Sequence, residues 1–280
     1  MNQDFVVLNL GWTQLEPQSV EKPTVSPFMR IYYLKQGEAD LNFSDREVRM
    51  SPGHMYMVPA YTPHCYSSDQ PVQLYYLFVL HRQARRNFLE DYDMPSQVRS
   101  NEATQLLFEN YCHLYPQLNL PAGQSAVGEH SIPYRDYLQT FRGLEEYERL
   151  QLHGMVEILL SYFLKHSQIR KEAADPRIAG VMDYVSNHMS EQISVEQLAD
   201  YACLTKSYLI RTFREMMHIT PLQYVIKKKI QLAQKMLLES DTPVSDIASA
   251  LGFHDSSYFI RLFRKHIGLT PQDYRIRLIG

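Results

Sequence analysis

The chain has 280 residues, of which 45% are hydrophobic and 21% charged, with a formal net charge of −3. That length supports two domains with cores of their own, and that balance excludes a disordered or fibrous chain. Three widely spaced cysteines, Cys65, Cys112 and Cys203, form neither a disulfide framework nor a zinc pattern.

The start, MNQDFVVLNL, lacks the basic and long apolar parts of a secretory signal. From there to about residue 100 the chain reads as β. MRIYYLKQGEADLNF alternates around a glycine, EVRMSPGHMYMVPA turns at Pro-Gly, and VQLYYLFVLH is rich in aromatic and β-branched residues. Short strands at this spacing predict an antiparallel sandwich or barrel. Alternation places Arg30, Tyr32 and Gln36 on one strand face, with His64, Tyr66 and Tyr75 nearby. Aromatic faces with an arginine and a few polar tips suit a sugar or another small polar metabolite, and they equally suit a plain core with a satisfied rim.

Residues 101–167 change to helical spacing, first in NEATQLLFENYCHLY and then, after a loop, in a long region from Tyr134 to Ser167. Phe141, Leu144, Leu152, Met155, Leu159 and Tyr162 form one apolar stripe there, interrupted by Glu148. The stripe is longer than a small barrel needs, which predicts a dimer contact in this region. Its most apolar piece, Met155–Leu164, is too short to span a bilayer, so a cytoplasmic location is expected. Residues 168–176, QIRKEAADP, read as a linker ending at a helix start.

Residues 177–280 read as helical throughout, and their charge differs from the front. Residues 1–175 hold 15 basic and 21 acidic side chains, residues 176–280 hold 13 and 10. A basic rear half weakly favours a polyanionic partner. This half is built in duplicate. ITPLQY at Ile219–Tyr224 returns as LTPQDY at Leu269–Tyr274. Each sixmer reads as a helix start. A threonine caps it, proline takes the first turn, Gln223 or Asp273 sits at the capping-box position, and an apolar residue staples to a tyrosine.

What precedes each sixmer is also repeated. Val195, Leu198, Ala199 and Ala202 share a spacing with Val244, Ile247, Ala248 and Leu251. Tight turns follow at Cys203-Leu204 and at Gly252-Phe253-His254, the second one residue longer. New helices, KSYLIRTFRE and SSYFIRLFRK, then begin after Thr205 and Asp255. Helix, short turn and helix with small inner residues is the helix-turn-helix pattern. In the second helices Leu209 and Phe213, like Phe259 and Phe263, face a core. Ser207, Arg211 and Arg214, like Ser257, Arg261 and Arg264, face outward. An arginine one turn after a small residue can reach the O6 and N7 atoms of guanine. Lys206, Ser207, Arg211, Ser256, Ser257 and Arg261 are the candidate base-reading residues. Arg214, Arg264, Lys227 and Lys229 are the candidate phosphate contacts, the lysines lying on a long connecting helix.

LADYACLTKSYLIRTFREMMHITPLQYV, KKKIQLAQKMLLES and SDIASALGFHDSSYFIRLFRKHIGLTPQDYR resemble the DNA-binding domain of the AraC/XylS family of transcription regulators. The resemblance implies seven helices carrying two helix-turn-helix units that enter successive major grooves. Cys203 departs from it, standing where glycine is common. MSPGHMYMVPAYTPHCY resembles the cupin-like sensor domains of that family, which implies a small ligand-holding β-barrel over residues 1–100 followed by dimerising helices over 101–167. Metal-binding cupins carry His-x-His on a strand. RIYYLKQGEADLNF has no histidine, so His64 alone is a poor metal site and neither metal nor cofactor is expected. The expected fold class is therefore α+β in two domains, a cupin-like barrel with a helical segment and an all-α double helix-turn-helix domain. The expected protein is not an enzyme but a regulator, an activator answering a small polar metabolite. Its expected partners are promoter or operator double-stranded DNA, a small-molecule effector, a second copy of the chain and RNA polymerase. A front domain that only dimerises or docks a partner, and a metal-dependent cupin enzyme with a DNA-binding tail, are the alternatives.

Overall fold

The computed structural model describes residues 5–19, 23–81, 91–121, 126–127, 134–170 and 176–279. The chain folds as two units. Residues up to 81 and 94–167 form the first, and residues 91–93 and 168–277 form the second.

The first unit contains two antiparallel sheets. One has the strand order β1 (Phe5–Leu15), β8 (Val72–His81), β3 (Met29–Gln36), β6 (His54–Val58) and β10 (Gln97–Arg99). The other has the order β2 (Gln18–Ser19), β7 (His64–Ser68), β4 (Ala39–Phe43) and β5 (Glu47–Met50). In the five-stranded sheet Arg30 pairs with Phe78, Tyr32 with Tyr76, and Tyr33 with Tyr75. Because side chains alternate along a strand, Arg30, Tyr32, Tyr76 and Phe78 share one face and Tyr33, Tyr75 and Leu77 share the other. Helix α1 (Glu102–Leu114) covers the second face: its Phe108 ring lies 5.8 Å from Tyr75 and 6.0 Å from Tyr33. Asn101 starts that helix by accepting a 3.0 Å hydrogen bond from the Thr104 amide.

The long helical region expected from Tyr134 to Ser167 consists of two helices, α2 (Tyr134–Gly143) and α3 (Glu146–Lys165). The break has a local cause. Gly143 weakens the end of α2. Glu148 then reaches back to accept from the Glu145 amide at 2.8 Å, which starts a new helix. Arg149 donates to the carbonyls of Arg142 and Leu144, satisfying the end that α2 leaves open. The stripe predicted for dimer contact is mostly core: Phe141, Leu144, Leu152, Met155 and Leu159 are buried and Tyr162 is half-buried. Tyr147, Leu150 and Ile158, spaced at helical intervals on another side of α3, are the large apolar residues it leaves exposed.

The second unit has a two-stranded pair, β9 (Tyr92–Asp93) with β11 (Gln168–Ile169). The first two residues of the expected linker 168–176 therefore form a short strand. Seven helices follow: α4 (Pro176–Asn187), α5 (Val195–Tyr201), α6 (Lys206–Met217), α7 (Pro221–Glu239), α8 (Val244–Ala250), α9 (Ser256–Ile267) and α10 (Pro271–Ile279). Ile178, Val181, Val185, Leu198, Ala199, Leu209, Phe213 and Tyr224 make the core of the first helix-turn-helix. Ile247, Ala248, Leu251, Phe259, Phe263 and Tyr274 are buried in the second. Deleting one such ring, Phe213 or Phe259, costs about 3–5 kcal/mol.

Both sixmers cap helices. Thr220 and Gln223 form a reciprocal box: the Gln223 amide donates to Thr220 Oγ1 at 3.3 Å and the Thr220 amide donates to Gln223 Oε1 at 2.9 Å. In the second copy the Asp273 amide donates to Thr270 Oγ1 at 3.2 Å, and that hydroxyl donates to Asp273 Oδ2 at 2.6 Å. The shorter aspartate takes the hydroxyl where the glutamine takes the backbone amide.

Candidate functional site

The two helix-turn-helix units are held by matching turns. After α5, the Leu204 amide donates to Ala199 O at 2.9 Å; after α8, the Phe253 amide donates to Ala248 O at 3.0 Å. Such a turn needs one left-handed residue. Gly252 supplies it with φ +70°, and a Cβ there would lie 2.7 Å from the Ser190 carbonyl oxygen, so no other residue fits without moving backbone. Cys203 takes the same conformation with φ +53°. The next left-handed position repeats the contrast, His218 with φ +58° in the first helix-turn-helix and Gly268 with φ +85° in the second. A residue with a Cβ costs about 1–2 kcal/mol in that region, so the first helix-turn-helix carries strain at two places where the second helix-turn-helix has glycine.

Helices α6 and α9 then present like faces. Thr205 accepts from the Tyr208 amide at 3.3 Å and Asp255 from the Ser257 amide at 2.7 Å. Leu209, Phe213, Phe259 and Phe263 are buried, while Lys206, Ser207, Arg211, Arg214, Ser257, Arg261 and Arg264 are exposed and Ser256 is half-buried. Lys206 is ion-paired with Glu196 of α5. Each candidate arginine lies over a tyrosine one turn earlier, Arg211 5.2 Å from the Tyr208 ring and Arg261 6.0 Å from the Tyr258 ring. Arg177 of α4 approaches the Tyr208 ring at 5.9 Å. Sequence reasoning missed both tyrosines, although the repeated Ser-Tyr dipeptide is the signal that marks them. Exposed aromatic and cationic groups on one helix face are what a phosphate-lined groove attracts.

The connecting helix corrects one expectation. Lys227 is exposed, but Lys229 is 4% exposed and is not available to a phosphate. Its Nζ donates to Glu191 O at 2.6 Å and to Leu251 O at 2.7 Å, and it lies 5.2 Å from the Phe253 ring. Burial holds its pKa below the usual lysine value against the attraction of Glu191. The carbonyls it binds come from the loop before α5 and from the turn after α8, so this ammonium ties the two helix-turn-helix units together.

In the first unit four of the six expected ligand residues come together. Arg30 and Tyr32 project from β3, and His64 and Tyr66 from β7, and all four are buried. Arg30 Nη2 donates to Ser26 Oγ at 2.7 Å, and Nη1 donates to the Ala126 carbonyl at 3.2 Å and to Tyr32 Oη at 3.4 Å. The guanidinium also lies 4.9 Å from the Phe78 ring and 5.5 Å from the Phe28 ring. His64 is pushed down to about 4 by burial first and by Arg30 second. Burial pushes Tyr66 up to about 12, with Ser68 acting the other way. Tyr134, the first residue of α2, is pushed up to about 12 by burial against the pull of Arg30. Among the described residues Arg30 Nε, His64 Nε2, Tyr66 Oη, Ser68 Oγ and Thr24 Oγ1 have no hydrogen-bond partner. Thr24, Ser26, Ser68 and Tyr134 escaped sequence reasoning, since three flank or follow loops and Ser68 is the third alternating residue of β7.

Gln36 and Tyr75 do not belong to this cluster. The β3 register shifts between Leu34 and Gln36, which breaks the alternation and leaves Gln36 exposed at the strand end. Tyr75 lies on the opposite sheet face, where its hydroxyl donates to Glu109 Oε1 of α1 at 3.1 Å. No group of three or more His, Cys, Asp or Glu side chains could hold a metal among the described residues.

Residues 14–130 match the AraC-like ligand binding domain model, and residues 198–277 match a helix-turn-helix domain model. The probable transcriptional regulator LumQ of Photobacterium leiognathi is 36% identical over 93 residues, which are 33% of this chain and 38% of that protein. The melibiose operon regulatory protein of Escherichia coli K12 is 23% identical over 249 residues, 85% of this chain and 78% of that protein. Thus the chain spans well under half of LumQ, but most of the melibiose regulator. Among solved structures, unsaturated fatty acid bound ToxT from Vibrio cholerae superposes over 100% of this chain and 97% of its own, with TM-score 0.55 and 14% identity, a likeness of fold. With an AraC-like ligand-binding model on its β-rich front and a helix-turn-helix model on its duplicated helical rear, the chain is similar in both halves to AraC-family regulators.

Proposed function

We propose that this chain is a transcription regulator, an activator, whose second unit reads double-stranded DNA through α6 and α9 and whose first unit holds a small-molecule effector. The observation that carries this is the repeat itself: two helices, each capped and backed by its own core, expose the same Ser-Tyr-x-x-Arg face. Such a face serves DNA and no catalysis, and the buried cluster around Arg30 supports an effector. In this reading the chain works in the cytoplasm; no helix among the described residues is long and apolar enough to cross a membrane. A second copy of the chain pairs through Tyr147, Leu150 and Ile158, and RNA polymerase is the further partner of an activator.

A competition assay over a randomised DNA site tests the DNA reading. Arg211→Ala should weaken the preferred site by about 1–3 kcal/mol and relax preference at one position. Arg261→Ala should do so about 10 base pairs away. Lys227→Ala should weaken all sequences alike and lower the salt slope by about 0.9. Uniform loss across sequences for the arginine variants would make them phosphate contacts, and no loss would remove α6 and α9 as reading helices.

A further inference from the structure

We propose that the buried cluster of the first unit takes a hydroxylated monocarboxylate, with its carboxylate against Arg30 and one of its hydroxyls donating to His64. This rests on the reading of the first unit as an effector domain and names the effector's chemical class.

Among the described residues the Arg30 guanidinium meets no counter-ion. It is 1% exposed, and the hydrogen-bond acceptors it finds among those residues are a serine hydroxyl, a tyrosine hydroxyl and a backbone carbonyl, all neutral. Tyr32 and Tyr134 are the described side chains that act electrostatically on it, and neither is a carboxylate. The other buried polar side chains among the described residues of this unit are Asn9, Thr24, Ser26, His64, Ser68, Thr104 and His153. None of them is an acid. A guanidinium taken out of water without an anion is a costly arrangement, and a bound anion relieves it. Nη1 and Nη2 are engaged, while Nε, among the described residues, has no partner.

His64 asks for the opposite kind of atom. Its Nδ1 lies 3.1 Å from the Thr62 carbonyl oxygen, which can only accept, so Nδ1 carries the proton. Nε2 is then a lone-pair acceptor, buried and without a donor among the described residues. A charged donor and a neutral acceptor left open in one cluster call for a ligand that offers an anionic oxygen to one and a hydroxyl proton to the other. Tyr66 Oη and Ser68 Oγ, on the same face of β7, are near enough to act on each other but form no hydrogen bond of good geometry, and each can still give or accept, which suits further hydroxyls.

The count of charges narrows the class. One buried cation matches one negative charge, and a dianionic phosphate would find no second. A neutral sugar would leave Arg30 uncompensated. A plain alkyl acid would neutralise Arg30 but leave His64 Nε2 unpaired, a loss of affinity.

Six-carbon probes separate these cases. The full chain is titrated at neutral pH with gluconate, galactonate, glucuronate and galacturonate, with hexanoate, and with sorbitol and glucose, and both melting temperature and heat of binding are read. At least one hydroxylated acid should raise the melting temperature by several degrees once it is present at about 100-fold its Kd. It should bind at least about 10-fold more tightly than hexanoate, sorbitol or glucose. Arg30→Met should abolish the shift, and His64→Phe should weaken the hydroxylated acid more than it weakens hexanoate. If Arg30→Met does not fold, His64→Phe and Ser68→Ala carry the test. Tighter binding of sorbitol or glucose, or of hexanoate, overturns the proposed class while leaving an effector domain in place. A shift by the acids that survives Arg30→Met, or His64→Phe together with Ser68→Ala, puts their site elsewhere and overturns both. Silence of all four hydroxylated acids overturns the proposal.

Discussion

Replacing Lys229 with methionine tests the tie between the two helix-turn-helix units. Methionine keeps the stem and the contact with Phe253 but removes both hydrogen bonds, to Glu191 O and Leu251 O. Hydrogen bonds from a charged donor contribute about 1.5–3 kcal/mol each. Against this stands relief from burying an ammonium, and water can replace the donor at Glu191, which is exposed. Leu251 is buried, and its carbonyl left open costs about 1–3 kcal/mol. A net loss of about 2–3 kcal/mol follows, which for a unit of this size lowers a urea midpoint by about 1 M. Far-UV circular dichroism of the full chain, dominated by helix, reports it. Binding supplies a second measurement. Affinity for a site with both half-sites should fall more than affinity for either alone, because the variant loosens their relative placement, and the salt slope should stay at the wild-type value. An unchanged midpoint would show that the clamp contributes nothing, and a slope lower by about 0.9 would return Lys229 to the phosphate contacts.

Three further outcomes are expected. His64 has a folded-state pKa of about 4 against 6.5 when unfolded, so the unfolded chain binds the extra proton. Stability is full above about pH 6.5 and falls, by up to about 3 kcal/mol, as pH drops to 4; His64→Phe should lose that slope in a denaturation series, and an unchanged slope would assign it to other groups. Cys203→Gly and His218→Gly should each stabilise the second unit by about 1 kcal/mol, whereas Gly252→Ala should destabilise it, by more than φ alone demands because the new methyl meets the Ser190 and Glu191 carbonyls; equal thermal midpoints across the three would refute the strain argument. Leu150→Glu with Ile158→Glu should give a monomer by sedimentation without loss of helix, and a persistent dimer would place the contact elsewhere.

The second unit was largely legible because its signals are local and occur twice. Thr220, Gln223, Thr270 and Asp273 act through neighbours within three residues, and the alternation of Leu209 and Phe213 with Arg211 and Arg214 is fixed by helix geometry. Lys229 was misread because its acceptors lie 38 and 22 residues away, although its place four residues from Val225 and from Ala233 puts it on the buried side of the helix. Period-2 alternation likewise placed Arg30 and Tyr32 together but could not foresee the register shift that removes Gln36. It also could not tell which sheet face α1 would cover, and so misplaced Tyr75. Tyr134 reaches the cluster by a tertiary contact, 4.6 Å from the Phe28 ring, that no spacing encodes.

The tyrosines beneath the candidate reading arginines bear on conformational entropy. A free arginine samples many rotamers, and fixing one at an interface costs about 0.5–1.5 kcal/mol. Arg211, settled over Tyr208, has surrendered part of that freedom before any DNA arrives. Arg261 is restrained twice, over Tyr258 and toward Asp255 at 3.9 Å, and would leave a carboxylate to meet a base. In the proposed reading the first helix would engage with a side chain that only has to slide off a ring, and the second with one that has to be exchanged from an anion. Two faces that offer the same atoms thus differ in how promptly those atoms can be used.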